Sequence, residues 1–234
     1  MFSAEVNQRI AGRWQTVKQE VAGAAIAAGR DPNSVCIVAV TKYVDANSIS
    51  ALVAAGCEDV GESRPQQLWD RVNELERLGG HARWHLIGHL QTNKVAKTIP
   101  FVSLIHSVDS LRLLTAIEAA ANDQSRTVDV LLEIKVSGDE TKHGLQPIEF
   151  EHIVEQINAF KHTKVRGLMT MASLNGGNDQ ARRDFEQLRE LRDRWQSQWP
   201  ALDLGELSMG MSDDFPQAIA AGATLVRVGS RLWE

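Results

Sequence analysis

Val35-Cys36-Ile37-Val38-Ala39-Val40-Thr41-Lys42 opens with six apolar residues that do not alternate with polar ones. Four of the six are Val or Ile. Continuous β-branched runs of this kind mark strands buried on both faces, the habit of parallel sheets. Lys42 stands at the C-terminal end of the run, where α/β folds place their chemistry. On its own it also reads as an ordinary solvated lysine, so the weight falls on what surrounds it.

The same unit recurs in both directions. Upstream, Val6, Ile10, Trp14, Val17 and Val21 are spaced by three and four, as on an amphipathic helix, which Gly29-Arg30-Asp31-Pro32 ends. Downstream, Asp45 can cap a helix whose inner face is Ile49, Leu52 and Val53, with Gly56 at the left-handed position after it. A strand over 58–62 follows, then a helix opened by Pro65 with Leu68, Val72 and Leu75 inside. The pattern continues with a strand over 83–88, a helix over 91–99 stopped by Pro100, a strand over 101–107, and a helix capped by Asp109. A strand over 127–136, a loop over 137–144 and a helix carrying Phe150, Ile153, Val154 and Ile157 come next. After a strand over 164–171, Asn178 can cap a long helix with Phe185, Leu188, Leu191 and Trp195 inside and a Glu190–Arg194 pair on its solvated face. The last units are a strand over 204–209, a short helix capped by Ser212, and a strand over 224–228.

Eight strands alternating with helices, with no Pro- or Ser-rich linker, fit a single TIM (β/α)8 barrel with an additional N-terminal helix, one domain over residues 1–234. An open doubly wound sheet is the alternative. The formal net charge of −5 argues against nucleic acid as a partner. Cys36 and Cys57 carry no metal-ligand spacing and point to a reducing compartment. The N-terminus lacks the basic start and apolar block of a signal peptide, and no apolar run approaches the ~20 residues of a membrane span. The expectation is a cytoplasmic protein without membrane contact, and a monomer.

A barrel brings all eight strand ends to one face. Those ends read Lys42, Ser63, His85 with Gly88, Ser107, Lys135, Met169 with Met171, Ser208-Met209-Gly210-Met211-Ser212, and Arg227-Val228-Gly229-Ser230. The loops after strands seven and eight often hold a phosphate in such folds. Here Gly210 allows close backbone approach, Ser212 offers a hydroxyl, and Gly229 and Ser230 offer backbone N–H groups. Asp213 and Asp214 count against an anion, unless they only complement the helix dipole. A lysine among apolar neighbours can attack a carbonyl to form a Schiff base. A phosphorylated aldehyde satisfies both features, and pyridoxal 5′-phosphate (PLP) is one such compound. Its pyridine nitrogen needs an Asp or Arg partner, and Arg227 is available.

The combination of Ala39-Val40-Thr41-Lys42, Gly61-Glu62, Trp84-His85-Leu86-Ile87-Gly88-His89-Leu90-Gln91-Thr92-Asn93-Lys94, Arg166-Gly167-Leu168-Met169, Leu207-Ser208-Met209-Gly210-Met211-Ser212-Asp213-Asp214 and Val226-Arg227-Val228-Gly229 resembles the pyridoxal phosphate homeostasis protein family, the YggS/PROSC family. The resemblance runs through nearly the whole chain. It implies the barrel of bacterial alanine racemase without that enzyme's second domain. It implies that Lys42 forms the Schiff base, that Ser212, Gly229 and Ser230 hold the phosphate, and that Arg227 faces the pyridine nitrogen. It also places His85, Met209 and Gly210 around the cofactor and Lys142 in a nearby loop. The chain departs from the family pattern at Ser63, where an asparagine near the cofactor is usual, and after Gly229, where a Phe-Gly pair is usual.

The residue-level alternatives are structural. His89 and His106 read as structural, His85 also reads as a hydrogen-bonded core group, and the methionines can pack the mouth. Gln91, Asn93 and Lys94 read as helix-capping residues. Functionally, the expectation is a protein that holds PLP and takes part in its homeostasis, with apo-PLP enzymes as candidate partners. A racemase needs two groups on opposite faces of the substrate carbon, and a second domain to supply one is not expected here. A PLP-dependent amino acid racemase of low activity is the alternative, with a Schiff-base aldolase behind it.

Overall fold

The computed structural model describes residues 4–136, 143–173 and 176–234. The expected loop position of Lys142 lies outside the described residues. Eight strands, β1 (Cys36–Val40), β2 (Asp59–Glu62), β3 (Arg83–Leu86), β4 (Leu104–Val108), β5 (Val128–Glu133), β6 (Thr163–Met169), β7 (Glu206–Met211) and β8 (Leu225–Val228), pair in chain order into a closed barrel. All neighbours are parallel, and closure comes from β1 on β8, with Val38 beside Arg227 and Ala39 beside Val228. Closure leaves no free sheet edge, and the open-sheet alternative is set aside.

Strand alternation divides the apolar residues into two cores. Val38, Leu104, Leu131, Met169 and Leu225 fill the barrel interior. The opposite faces pack on the helices α1 (Ala4–Ala27), α2 (Ala46–Ala54), α3 (Pro65–Arg77), α4 (Val95–Thr98), α5 (Leu111–Asp123), α6 (Pro147–Ala159), α7 (Gly177–Gln198), α8 (Phe215–Ala220) and α9 (Ser230–Trp233). α1 presents Ile10, Trp14, Val17, Val21 and Ala25 inward, the stripe its spacing predicts. Trp195 of α7 stacks on Phe150 of α6 with ring centroids 3.8 Å apart, and both are fully buried. Among the described residues, no helix is long and apolar enough to cross a membrane.

Several boundaries differ from the sequence expectation, each for a local reason. The segment 91–99 is not one helix: α4 is flanked by 3-10 turns over Thr92–Lys94 and Ile99–Phe101, and Pro100, which the helix was expected to stop at, lies inside the second. Ser110, not Asp109, caps α5, its Oγ accepting from the Leu113 N–H at 3.3 Å. α7 begins at Gly177, so Asn178 lies inside it rather than capping it. Arg194 reaches Glu151 of α6 at 3.7 Å instead of Glu190. α8 starts at Phe215, three residues after Ser212, with Pro216 in its first turn. Asp45 and Gly56 take their expected places, Asp45 accepting from Ser48 N–H at 2.8 Å and Gly56 at φ +94°.

Candidate functional site

The C-terminal ends of β7, β8 and β1 form one continuous rim. At Gly210 the backbone has φ +91°, and a Cβ there would lie 2.5 Å from Ala218 Cβ and 3.0 Å from Phe215 Cα. Only glycine lets α8 pack this closely on the strand end. The turn beyond it brings Ser212 to β8, where the Gly229 N–H donates to Ser212 Oγ at 3.1 Å. Ser230 opens α9, whose first N–H groups have no partner within the helix. Arg231 braces this corner: its Nε donates to the Ser212 carbonyl at 2.6 Å, and its guanidinium pairs with Glu20 at 2.8 Å. Trp233 Nε1 donates to the Val40 carbonyl at 2.7 Å, tying α9 to β1. A Cβ on Gly229 would sit 3.3 Å from Val40 Cβ, so the Gly229 backbone packs against the Val40 side chain. Lys42 follows two residues later, about 7 Å along the chain at strand rise. It is exposed at the mouth rather than enclosed by apolar side chains, with Nζ 5.9 Å from the Tyr43 ring centroid. Tyr43 takes φ +71°, an uncommon conformation for a bulky residue, and turns the chain sharply just past the lysine.

Below the rim a chain of buried polar groups crosses the barrel. Arg227 donates to Ser208 Oγ at 2.6 Å and to the Thr170 carbonyl at 3.0 Å. Ser208 Oγ lies 2.8 Å from His106 Nδ1, His106 Nε2 lies 2.9 Å from His85 Nδ1, and His85 Nε2 lies 3.0 Å from Asp59 Oδ1. One assignment of the tautomers satisfies every contact. Ser208 accepts from the guanidinium, so its own proton goes to His106 Nδ1. His106 then carries its proton on Nε2 and donates to His85, which donates from Nε2 to Asp59. The relay therefore runs from the Arg227 cation to the Asp59 anion, and burial pushes His106 well below its ordinary value, which keeps that imidazole neutral. Burial alone would raise Asp59, but hydrogen bonds from His85 and Arg83 hold it well below the carboxylate range. Burial lowers Arg227 to about 10, with Glu133 and Asp214 acting the other way, so it stays cationic at neutral pH. Burial raises Glu133 and Asp214.

At the opposite end of the barrel, Arg83 pairs with Asp59 and Glu58, and Arg166 with Asp129 and Asp203. These pairs line a cleft of about 770 Å³ whose guanidinium charges are already matched, as befits a stabilising floor.

The structure thus brings together at the mouth Lys42, Gly210, Ser212, Gly229 and Ser230, with Arg227 directly beneath. Ser63 joins them from the end of β2: its backbone lies so close to Gly88 that a Cβ there would be 2.3 Å from the Ser63 carbonyl oxygen. Two expected residues sit elsewhere. His85 lines the floor cleft, and both its ring nitrogens are taken by Asp59 and His106. Met209 is fully buried in the layer between sheet and helices: Ser208 faces the barrel interior, Met209 faces outward, and beyond it the register shifts and Gly210 packs against α8. Ser212 does not cap a helix, so its hydroxyl is free to serve the β7–β8 corner. Sequence reasoning missed Thr170 and Asp59, named Ser208 only as one of the strand-end residues, and read His106 as structural, which its two buried hydrogen bonds agree with. Only the alternation within each strand could have flagged the two missed residues.

The arrangement offers an amine, a buried guanidinium, and a hydroxyl among backbone N–H groups, all at adjacent strand ends. That donor set suits a small molecule carrying an anionic group, a carbonyl and a hydrogen-bond acceptor. The family model "Alanine racemase, N-terminal domain" matches residues 13–233. A protein of Aquifex aeolicus called "Pyridoxal phosphate homeostasis protein" is 37% identical over 221 residues, which are 94% of this chain and 96% of that one. A solved structure of PipY from Synechococcus elongatus PCC7942 "with PLP bound" superposes with a TM-score of 0.87 at 34% identity, covering 96% of this chain and 100% of that chain. Alanine racemase from Clostridium difficile 630 superposes with a TM-score of 0.68 at 14% identity, covering 86% of this chain and 52% of that one, a likeness of fold alone. The chain belongs to the pyridoxal phosphate homeostasis protein family, whose barrel is that of the alanine racemase N-terminal domain.

Proposed function

We propose that this chain, acting as one barrel domain over residues 1–234, binds PLP reversibly at Lys42 and takes part in intracellular PLP homeostasis without strong catalysis of its own. The observation that carries the reading is the meeting of Lys42, Arg227 and the Ser212–Gly229–Ser230 corner on the adjacent strands β7, β8 and β1. The names of the relatives and the PLP-bound PipY structure support it.

PLP brings an aldehyde and an electron-withdrawing ring to such a site. Lys42 Nζ would supply the amine that condenses with the aldehyde carbon, with loss of water. Ser212 Oγ and the N–H groups of Gly229 and Ser230 orient the phosphate. Gly210 keeps backbone close to it, Met209 contributes only main chain, and Ser63 borders the ring. Arg227, pinned by Ser208 and Thr170, would offer its remaining N–H groups to the ring nitrogen. A cation there donates a hydrogen bond but gives up no proton, so the ring stays a weak electron sink. His85 acts from below, by fixing the relay that orients Arg227. Holding the cofactor without activating it fits a carrier that serves apo-PLP enzymes in the cytoplasm as a monomer.

The test is a PLP titration of the full-length protein followed by visible absorption. Wild type should develop a saturable yellow band at one equivalent, and Lys42→Ala should lose it while keeping wild-type circular dichroism. Racemisation of alanine or serine at ordinary enzyme rates by the loaded protein would replace the carrier reading with the racemase one.

A further inference from the structure

Three consecutive loops converge across the mouth from the β7–β8 corner. His89 follows β3, Asp109 follows β4, and His143 lies beyond β5. One ligand atom from each of the three lies within 4.8 Å of the others. Asp109 does not cap α5, because Ser110 does. Instead Ser110 Oγ donates to Asp109 Oδ1 at 3.1 Å, which holds the carboxylate with Oδ2 turned to His89. A hydrogen bond that orients a ligating carboxylate is the usual support of a metal site.

The spacing is specific. His89 Nδ1 and Asp109 Oδ2 are 3.3 Å apart. That is long for a charge-assisted hydrogen bond, which runs about 2.7–2.9 Å. It matches the edge of a tetrahedron, about 3.3–3.4 Å, whose corners are N and O donors about 2.0–2.1 Å from one ion. The imidazoles of His89 and His143 lie side by side, with centroids 5.2 Å apart and planes at 26°, and binding one ion would require His143 to turn its ring so that a nitrogen lone pair meets that of His89. The group lines a cleft of about 770 Å³ with Gln91, Asn93 and Arg112, which leaves room for further ligands on the ion. The side chain of Asp109 is 14% exposed and that of His89 50%, so the site is reached from solvent.

We propose that His89, Asp109 and His143 bind one late first-row divalent ion, with zinc as the physiological case. Two imidazoles and one carboxylate suit zinc, cobalt or nickel, whereas magnesium and calcium prefer oxygen-only shells. Three protein ligands leave a coordination position open to water or to an anionic group entering the mouth. The inference stands on these three side chains and does not require the PLP reading.

The experiment is titration of chelator-treated full-length protein, free of PLP, with Co²⁺, followed by its visible d–d absorption, then displacement by Zn²⁺. One equivalent should bind with the intense bands of a four- or five-coordinate site. His89→Ala, Asp109→Asn and His143→Gln should each weaken binding by at least about 10–100-fold, the loss seen when even an outer-shell partner of a metal ligand is removed. His152→Ala, an exposed histidine on α6, should leave binding unchanged. Circular dichroism separates misfolding from ligand loss. The absence of saturable uptake in wild type, or equal uptake in wild type and the three variants, overturns the proposal.

Discussion

His106 shows how much a single buried residue can carry. Both its nitrogens are committed, to Ser208 and to His85, and it is fully buried. Its folded-state pKa lies below the unfolded value of about 6.5. Below that pH the unfolded chain takes up a proton that the folded chain refuses. Stability therefore falls as pH drops beneath about 6.5, by up to about 1.4 kcal/mol per unit from this group alone. Asp59 works lower: its pKa is held down in the fold, so its contribution is intact above about 3.9 and is lost as pH falls further. We expect His106→Leu to cost roughly 2–3 kcal/mol at pH 8, because Ser208 and His85 lose a buried partner. The same variant should show a flatter fall in stability between pH 6.5 and pH 5. Urea melts at pH 8, 6.5 and 5 check both points, and an unchanged slope would remove the assignment of a neutral His106. Residues of this kind were the hardest to read from sequence. Lys42, Ser212 and Arg227 stand at the ends of recognisable strands, so their neighbourhood follows from the barrel. Asp59, His85, His106, Ser208 and Arg227 belong to five strands, and nothing short of closure and register brings their side chains into one line.

At the scale of elements, the legible features were those with local causes. Hydrophobic spacing located α1, and Asp45, Gly56 and Pro65 placed the bounds of α2 and the start of α3. Misplaced ends arose where two residues competed for one role. Asp109 and Ser110 both suit a cap, and the one that loses turns to His89. Ser212 and Asp214 both precede a short helix, and Pro216 pushes its start to Phe215, which leaves Ser212 to Gly229. The packing of α8 on β7 therefore decides the shape of the anion corner, and it depends on Gly210. Gly210→Ala should destabilise the protein by roughly 2–4 kcal/mol, combining the cost of a left-handed alanine with overpacking against Ala218. It should also weaken PLP binding, since relief of the clash moves α8 and with it Ser212. Thermal melts and a PLP titration of the same sample test the coupling. A variant as stable as wild type would mean that α8 can shift freely.

For the whole molecule, the barrel separates two tasks. Its floor is closed by the matched ion pairs of Arg83 and Arg166. Its mouth gathers the Ser212 hydroxyl, the Gly229 N–H and the start of α9 at the β7–β8 corner, with an exposed amine beside them. Between them the relay holds Arg227 in place without reaching the ligand itself. The eightfold alternation made this division visible in the sequence, because it predicted which residues share a face. It did not show that His85 belongs to the floor and Met209 to the outer layer, since that depends on where each strand begins. The central claim is that one lysine carries the cofactor. Borohydride reduction of the PLP-loaded full-length protein, followed by peptide mass spectrometry, tests it most directly. The account expects a single reduced pyridoxyl-phosphate adduct, on Lys42. Label confined to any other lysine, or no label on a protein that has bound PLP, would contradict it.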